Sequence, residues 1–293
     1  MTTTSLPHAG RTQVIGILNV TPDSFSDGGR WLDPAGAVER GRWLARHGAD
    51  LIDVGGESSR PGADRVSADE ELARVLPVIR ALTGDPGFPP VSVDTRRASV
   101  AQAAVAAGAA LVNDVSGGLA DPGMLALVAA AGVDYVCQRC APGDAVVSAG
   151  TETAPRTGTS VDRVRDELLD RRDACLAAGV APERLILDPG LGFATTPELD
   201  WALLARLDDL AALGHRLVVG ASRKRFLTTA CLGDEETARD AATTALTTWC
   251  AWHAVWAVRV HDVEASAQAV RVAERLRGTD RPHPGAAAPT AVM

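Results

Sequence analysis

The 293-residue chain is short of aromatic side chains and nearly empty of lysine. One Tyr and four Phe leave an interior that Ala, Val and Leu must fill, which a hydrophobic share of 46% allows. Of the 29 basic residues a single one, Lys224, is lysine. An ammonium is a compact point donor and a guanidinium a planar fork, so the two do not exchange freely. Long apolar runs are missing as well: nothing approaches the ~18 residues of a membrane-spanning helix. The leading MTTTSLPHAGRTQ carries no apolar secretion-signal core, so a cytoplasmic protein is expected. Five Cys, at 137, 140, 175, 231 and 250, are odd in number and irregular in spacing, which argues against a disulfide framework. Excess positive charge is absent too. A net charge of −8 argues against nucleic acid or an anionic membrane as the main partner, while leaving room for a locally basic pocket.

What is present is repetition. Short apolar runs occur at Val14–Leu18, Leu51–Val54, Val91–Val93, Ala110–Val112, Val133–Val136, Leu185–Leu187, Leu217–Val219 and Ala257–Val260. Each leads into a Gly-rich or polar loop and then an Ala-rich helical pattern, the first helix starting at Asp33-Pro34. Continuous apolar runs suit strands buried on both faces, hence a parallel sheet. Eight such units predict an α/β fold, a closed (β/α)₈ TIM barrel forming one domain over residues 1–278. A doubly wound sheet would put a G-x-G-x-x-G fingerprint after its first strand, and none follows Leu18. The Pro- and Ala-rich stretch 279–293 reads as a disordered tail, and Ala141–Ser160 as the longest internal loop.

In such a barrel the chemistry gathers where strands end. Polar residues stand there repeatedly: Asn19, Asp53, Asp94-Thr95, Asn113-Asp114, Asp188-Pro189-Gly190, Ser222-Arg223-Lys224, and Arg259 with His261. Any one of them also suits a turn or a helix cap. Together they would converge on one mouth. Asp94, Asn113, Asp188 and Lys224 offer the directional donors and acceptors that a flat heterocycle with amide and amino edges requires. Arg259, His261 and Ser222, with Ser58-Ser59-Arg60, suit an anion, Ser222 from a helix N-terminus. Asn19 supplies a neutral oxygen of the kind that ligates Mg²⁺ beside phosphates. The Gly-rich stretches 27–29 and 55–62 have the composition of loops that close over a ligand.

Seven segments in order resemble the dihydropteroate synthase family, its actinobacterial members above all. They are IGILNVTPDSFSDGG at 15–29, DVGGESSRPGA at 53–63, SVDT at 92–95, NDVSGG at 113–118, DPGLGF at 188–193, GASRKRFL at 220–227 and RVHDV at 259–263. The resemblance implies a homodimeric barrel that condenses 6-hydroxymethyl-7,8-dihydropterin pyrophosphate with p-aminobenzoate. Pyrophosphate would leave in a largely dissociative step, and the arylamine would attack the pterin methylene cation. Asp94, Asn113, Asp188 and Lys224 would hold the pterin. Asp94 would also stabilise the cation, and Asn19 would contact Mg²⁺. Arg259 and His261, with Ser59 and Arg60, would hold pyrophosphate. Ser222, Phe193, Arg60 and Pro61 would shape the p-aminobenzoate pocket, with loops carrying Phe25 and Arg60 excluding water. Asp94, Lys224, Arg259 and His261 would be the catalytic group.

The chain departs from the family in two places. The fifth strand ends Val136-Cys137-Gln138-Arg139-Cys140 where the family has a Met-His pair, an aromatic or Met, then Arg or Gln. Read in register, Cys137 replaces a Met on the pterin pocket floor and Gln138 replaces the His. A zinc site on this C-x-x-C is disfavoured, since no second pair exists and strand alternation separates the two thiols. After the sixth strand, Thr195 and Asp200 stand where the family has Lys and Asn. These departures keep open a paralogue with another arylamine or with sulfonamide tolerance, and a non-catalytic pterin-binding protein. Pterin-dependent methyl transfer to a corrinoid ranks last.

Overall fold

The computed structural model describes residues 6, 10–21, 34–57, 65–140, 158–233 and 235–278. Phe25, Ser58, Ser59, Arg60 and Pro61, the loop residues 141–157 and the tail 279–293 therefore fall outside the described residues.

All eight expected strands form, and they close a parallel barrel in sequence order. Each lies within a residue or two of its apolar run. The chain runs β1 (Gln13–Asn19), α1 (Pro34–Arg46), β2 (Leu51–Gly55), α2 (Ala68–Thr83), β3 (Val91–Asp94), α3 (Ala98–Ala106), β4 (Leu111–Asp114) and α4 (Met124–Ala131). It continues through β5 (Asp134–Gln138), α5 (Val161–Ala177), β6 (Leu185–Asp188), α6 (Pro197–Ala205), α7 (Leu207–Ala211), β7 (Arg216–Val219), α8 (Glu236–Trp252), β8 (Ala257–Val260) and α9 (Val263–Arg277). Closure comes from β1 pairing with both β2 and β8, with Ile15 beside Leu51 on one side and Arg259 on the other.

Helix starts follow capping chemistry. The Ser67 hydroxyl accepts from the Glu70 N–H at 3.1 Å, Ser160 from Arg163 at 3.2 Å, Thr196 from Leu199 at 3.3 Å and Asp262 from Ala265 at 3.2 Å. Each satisfies one donor that a helix N-terminus leaves over.

Strand alternation divides the interior in two. Outward residues such as Val14, Leu18, Ile52, Val54, Val112 and Tyr135 pack against the helices in one aliphatic core. Inward residues such as Ile15, Leu51, Leu111, Val136, Ile186 and Val218 fill the barrel, and Leu6 and Trp256 lie in the same inner cluster. At the N-terminal end of the barrel Arg216 pairs with Asp134 at 2.8 Å and lies 4.9 Å over the Trp256 ring. The opposite end, where the strands finish, is left to polar side chains.

Candidate active site

Alternation decides which strand-end residues face the mouth. The inward set is Asn19, Asp53, Asp94, Asn113, Gln138, Asp188 and Arg259, with Ser222, Lys224 and His261 on the loops just beyond. Asn113, Asp188 and Ser222 are nearly buried, whereas Asn19, Asp94, Lys224, Arg259 and His261 keep partial exposure. The sequence-predicted residues within the described chain are thus brought to one end of one barrel.

Arg259 is the hub. Its Nε donates to Asp53 Oδ2 at 2.6 Å and its Nη2 to Asp94 Oδ2 at 2.7 Å. The Asn113 amide donates to the same Asp53 oxygen at 2.9 Å. Asp53 therefore orients both a neutral amide and a cation that are expected to face ligand. The sequence marked Asp53 as a strand end but gave it no role. Its inward phase two residues before Gly55 was the available signal.

The carboxylates feel this crowding. Burial pushes the Asp94 carboxyl up to about 7; Arg259 pulls it down, and Asp53, Glu71 and Asp114 raise it. Burial also raises Asp188, opposed by Lys224, the Gly190 N–H and Arg259. The Arg259 guanidinium is held above its ordinary value: burial lowers it, but the charges of Asp53 and Asp94 outweigh that cost. Perturbed carboxylates beside a half-buried cation mark a site built for charge.

Two glycines are fixed by the mouth. Gly192 sits at φ 73°, and a Cβ there would come within 2.9 Å of Lys224 Cδ. Gly117 sits at φ 58°, and a Cβ there would meet the Gln138 carbonyl at 2.5 Å. With the stem of Lys224 laid against Gly192, its Nζ donates to the Leu191 carbonyl and stands 4.3 Å over the Phe193 ring.

Ser222 differs from expectation. It does not cap a helix. Its Oγ accepts from the His261 N–H at 3.1 Å and lies 2.9 Å from His261 Nδ1. If the hydroxyl donates to Nδ1, the ring proton is on Nε2, the tautomer suited to an anion. Asp114 also departs from the mouth. It faces outward and accepts from the Ser116 N–H at 2.8 Å, Ser116 Oγ at 2.6 Å, the Gly118 N–H at 2.8 Å and Tyr135 OH at 2.8 Å.

The fifth strand corrects the reading by one residue. Cys137 is not on the pocket floor: it faces the helices, its Sγ 3.6 Å from Cys175 Sγ of α5. The mouth-facing residue is Gln138, whose amide donates to the Val115 carbonyl at 3.1 Å. A pocket Met would correspond to Gln138, and the following His to Arg139. Counting along a motif gave the wrong phase, and only the direction of the pleat resolves it. The sixth-strand departures acquire a cause. Asp200 Oδ1 accepts from Thr195 Oγ1 at 2.7 Å and from the Gly192 N–H at 2.9 Å, so the two substituted residues bond each other.

Among the described residues no group of three or more His, Cys, Asp or Glu is placed to hold a metal. Asn19 Oδ1 lies beside Gly55, 3.6 Å from where a side chain there would begin. One neutral oxygen fits Mg²⁺ that takes its other ligands from phosphate and water.

This parallel barrel carries a polar mouth of carboxylates, amides and one ammonium at its strand ends, the place where barrels of this kind hold their active sites. The family described as pterin binding enzyme matches residues 15–261. Dihydropteroate synthase of Mycobacterium leprae is 48% identical over 266 residues, which is 89% of this chain and 92% of that protein. The dihydropteroate synthase of Xanthomonas albilineans solved with 4-aminobenzoic acid superimposes with a TM-score of 0.83 at 40% identity, covering 92% of this chain and 94% of that one. The same enzyme in complex with 7,8-dihydropteroate gives 0.80 at 37% identity, covering 92% and 95%. The chain belongs to the dihydropteroate synthase family of pterin-binding enzymes.

Proposed function

We infer that this chain is a dihydropteroate synthase. It is a transferase that joins 6-hydroxymethyl-7,8-dihydropterin pyrophosphate to p-aminobenzoate, giving 7,8-dihydropteroate and pyrophosphate for folate synthesis. The observation that carries this is the convergence of Asp94, Asn113, Asp188 and Lys224 with Arg259, Ser222 and His261 in a single mouth, in a chain 48% identical to a named synthase.

The residues divide the work. Asn113, Asp188 and Lys224 meet the donor and acceptor edges of the pterin. The C–O bond between the pterin methylene and pyrophosphate breaks, the C–N bond to the arylamine forms, and the amine loses a proton. Asp94 is the carboxylate assigned to the developing positive charge, and stabilisation there lowers the barrier because it acts in a partly dehydrated site. Arg259 and His261 hold the departing pyrophosphate, helped by Ser59 and Arg60. Ser222 and Phe193 line the arylamine side, to which the family resemblance also assigns Arg60 and Pro61. Mg²⁺, when bound, neutralises phosphate charge, and Asn19 is the protein ligand assigned to it. The protein acts in the cytoplasm as a homodimer of 30.4 kDa chains.

A second reading, an altered arylamine or sulfonamide response, is favoured by the Gln138 amide where a pocket Met would stand. It is tested with Gln138→Met. A shifted p-aminobenzoate KM or sulfonamide inhibition constant supports it, and identical profiles remove its basis. The main reading is tested by pyrophosphate release from purified protein, expected only when both substrates and Mg²⁺ are supplied.

A further inference from the structure

The two departures from the family are far apart in sequence and meet in space. Arg139 follows β5 with only 1% of its side chain exposed. Its backbone N–H donates to the Asp188 carbonyl at 2.8 Å, carrying the β5–β6 ladder one residue further. Its Nη1 donates to Glu167 Oε2 of α5 at 2.9 Å, and its Nη2 donates to the Phe193 carbonyl. The other Glu167 oxygen is taken by Arg163 Nε at 3.0 Å, so the carboxylate is fixed from both sides.

The loop that Arg139 grips is the one Asp200 grips. Residues 191–195 are tied at Leu191 by Lys224, at Gly192 and Thr195 by Asp200, and at Phe193 by Arg139. Gly190 lies directly on the arginine, since a Cβ there would come within 3.0 Å of the Arg139 carbonyl and 3.5 Å of its Nε. The charges communicate as well. Burial raises the Asp200 carboxyl, two hydrogen bonds lower it, and the charges of Lys224 and Arg139 pull in the same direction. A rigid fork suits this task, because two donors in one plane can reach a helix carboxylate and a loop carbonyl at once.

We propose that Arg139 is a positioning residue for the arylamine half of the site, fixing the turn 190–195 and with it the Phe193 wall. The fifth-strand and sixth-loop departures are then one device, a loop clamp built from Arg139, Glu167, Thr195 and Asp200. This rests on the reading that Phe193 lines the p-aminobenzoate pocket. A cation that merely balances Glu167 would affect stability and both substrates together. A positioning cation affects the arylamine more than the pterin, since Lys224 meets the backbone of the same turn at Leu191 and Gly192 while the Phe193 carbonyl is held by Arg139 itself.

The test compares wild type with Arg139→Met and with Arg139→Met/Glu167→Met. The double variant leaves no orphaned buried carboxylate and so keeps a folded protein to measure. Steady-state kinetics, calorimetric binding of pterin pyrophosphate and amide hydrogen exchange across 190–196 are read on each. The expected result is a KM for p-aminobenzoate raised about tenfold, the scale of one lost charged hydrogen bond, with kcat and pterin affinity within about twofold. Exchange at 192–195 should quicken in both variants. An unchanged arylamine KM in the double variant, or parallel losses for both substrates, overturns the proposal. A wild type that binds pterin pyrophosphate but forms no product defeats the functional reading instead. Exchange then still decides the clamp: unchanged protection at 192–195 refutes it.

Discussion

Lys224 is crowded along its stem and committed at its tip. Gly192 leaves no space beside Cδ, and Nζ is placed between the Leu191 carbonyl and the Phe193 ring. A guanidinium is wider and planar, so Lys224→Arg should lower kcat/KM by roughly tenfold to a hundredfold while keeping the charge. Wild-type kinetics in that variant would contradict the assigned role. Asp94 carries a pH signature. With its carboxyl near 7, the carboxylate that would face the cation is lost from the free enzyme as pH falls through about 7, and kcat/KM for pterin pyrophosphate should fall with it. Stability runs the other way. An acid that holds its proton more tightly when folded stabilises fully below about pH 4, and that contribution fades as pH rises through about 7. A pH profile of kcat/KM and a pH series of thermal unfolding check the two halves. At this scale the sequence was legible where a residue was singular, as with the only Lys. It misled at Cys137, where a one-residue error of phase exchanges the two faces of a strand.

Elements hold these residues by turns the sequence announced and contacts it did not. The loop after β7 reverses through Arg223, a non-glycine residue at φ 60°. A fork pair secures it to Asp240 of α8 at 2.7 and 2.9 Å, and Nη1 reaches Glu236 at 2.7 Å. Left-handed backbone on a side-chain-bearing residue costs on the order of 1 kcal/mol and persists where its surroundings enforce it. Here it turns Ser222 and Lys224 toward the same mouth. Asp240→Ala should therefore raise KM for both substrates, because both flanking residues lose their placement, and kinetics on each substrate measures this. The loop after β4 is held by Asp114 and the only tyrosine. Tyr135→Phe leaves a buried Asp114 oxygen one donor short and should cost about 1–3 kcal/mol in denaturant unfolding. Strands were readable from apolar runs because both of their faces are buried. The Asp114–Tyr135 and Thr195–Asp200 bonds were not, since they join residues whose proximity only the closed barrel creates.

The whole molecule separates stability from chemistry along the barrel axis. The Arg216–Asp134 pair lies at the end opposite the mouth, with the guanidinium stacked on Trp256. Arg216→Met strands a buried carboxylate beside the more distant Arg184, and should cost about 3–5 kcal/mol of stability while leaving both KM values unchanged. Altered kinetics in a folded sample would mean the two ends are coupled. The barrel could be anticipated from eight apolar runs, each followed by a polar strand end. The clamp across β5, β6 and α5 could not, because it links positions up to 54 residues apart. The account as a whole stands on one assay: purified wild-type protein with pterin pyrophosphate, p-aminobenzoate and Mg²⁺, followed by pyrophosphate release and by the appearance of dihydropteroate. It predicts equal amounts of both products and neither when either organic substrate is withheld. Pyrophosphate release without dihydropteroate, or no turnover by a protein that binds the pterin, would contradict it.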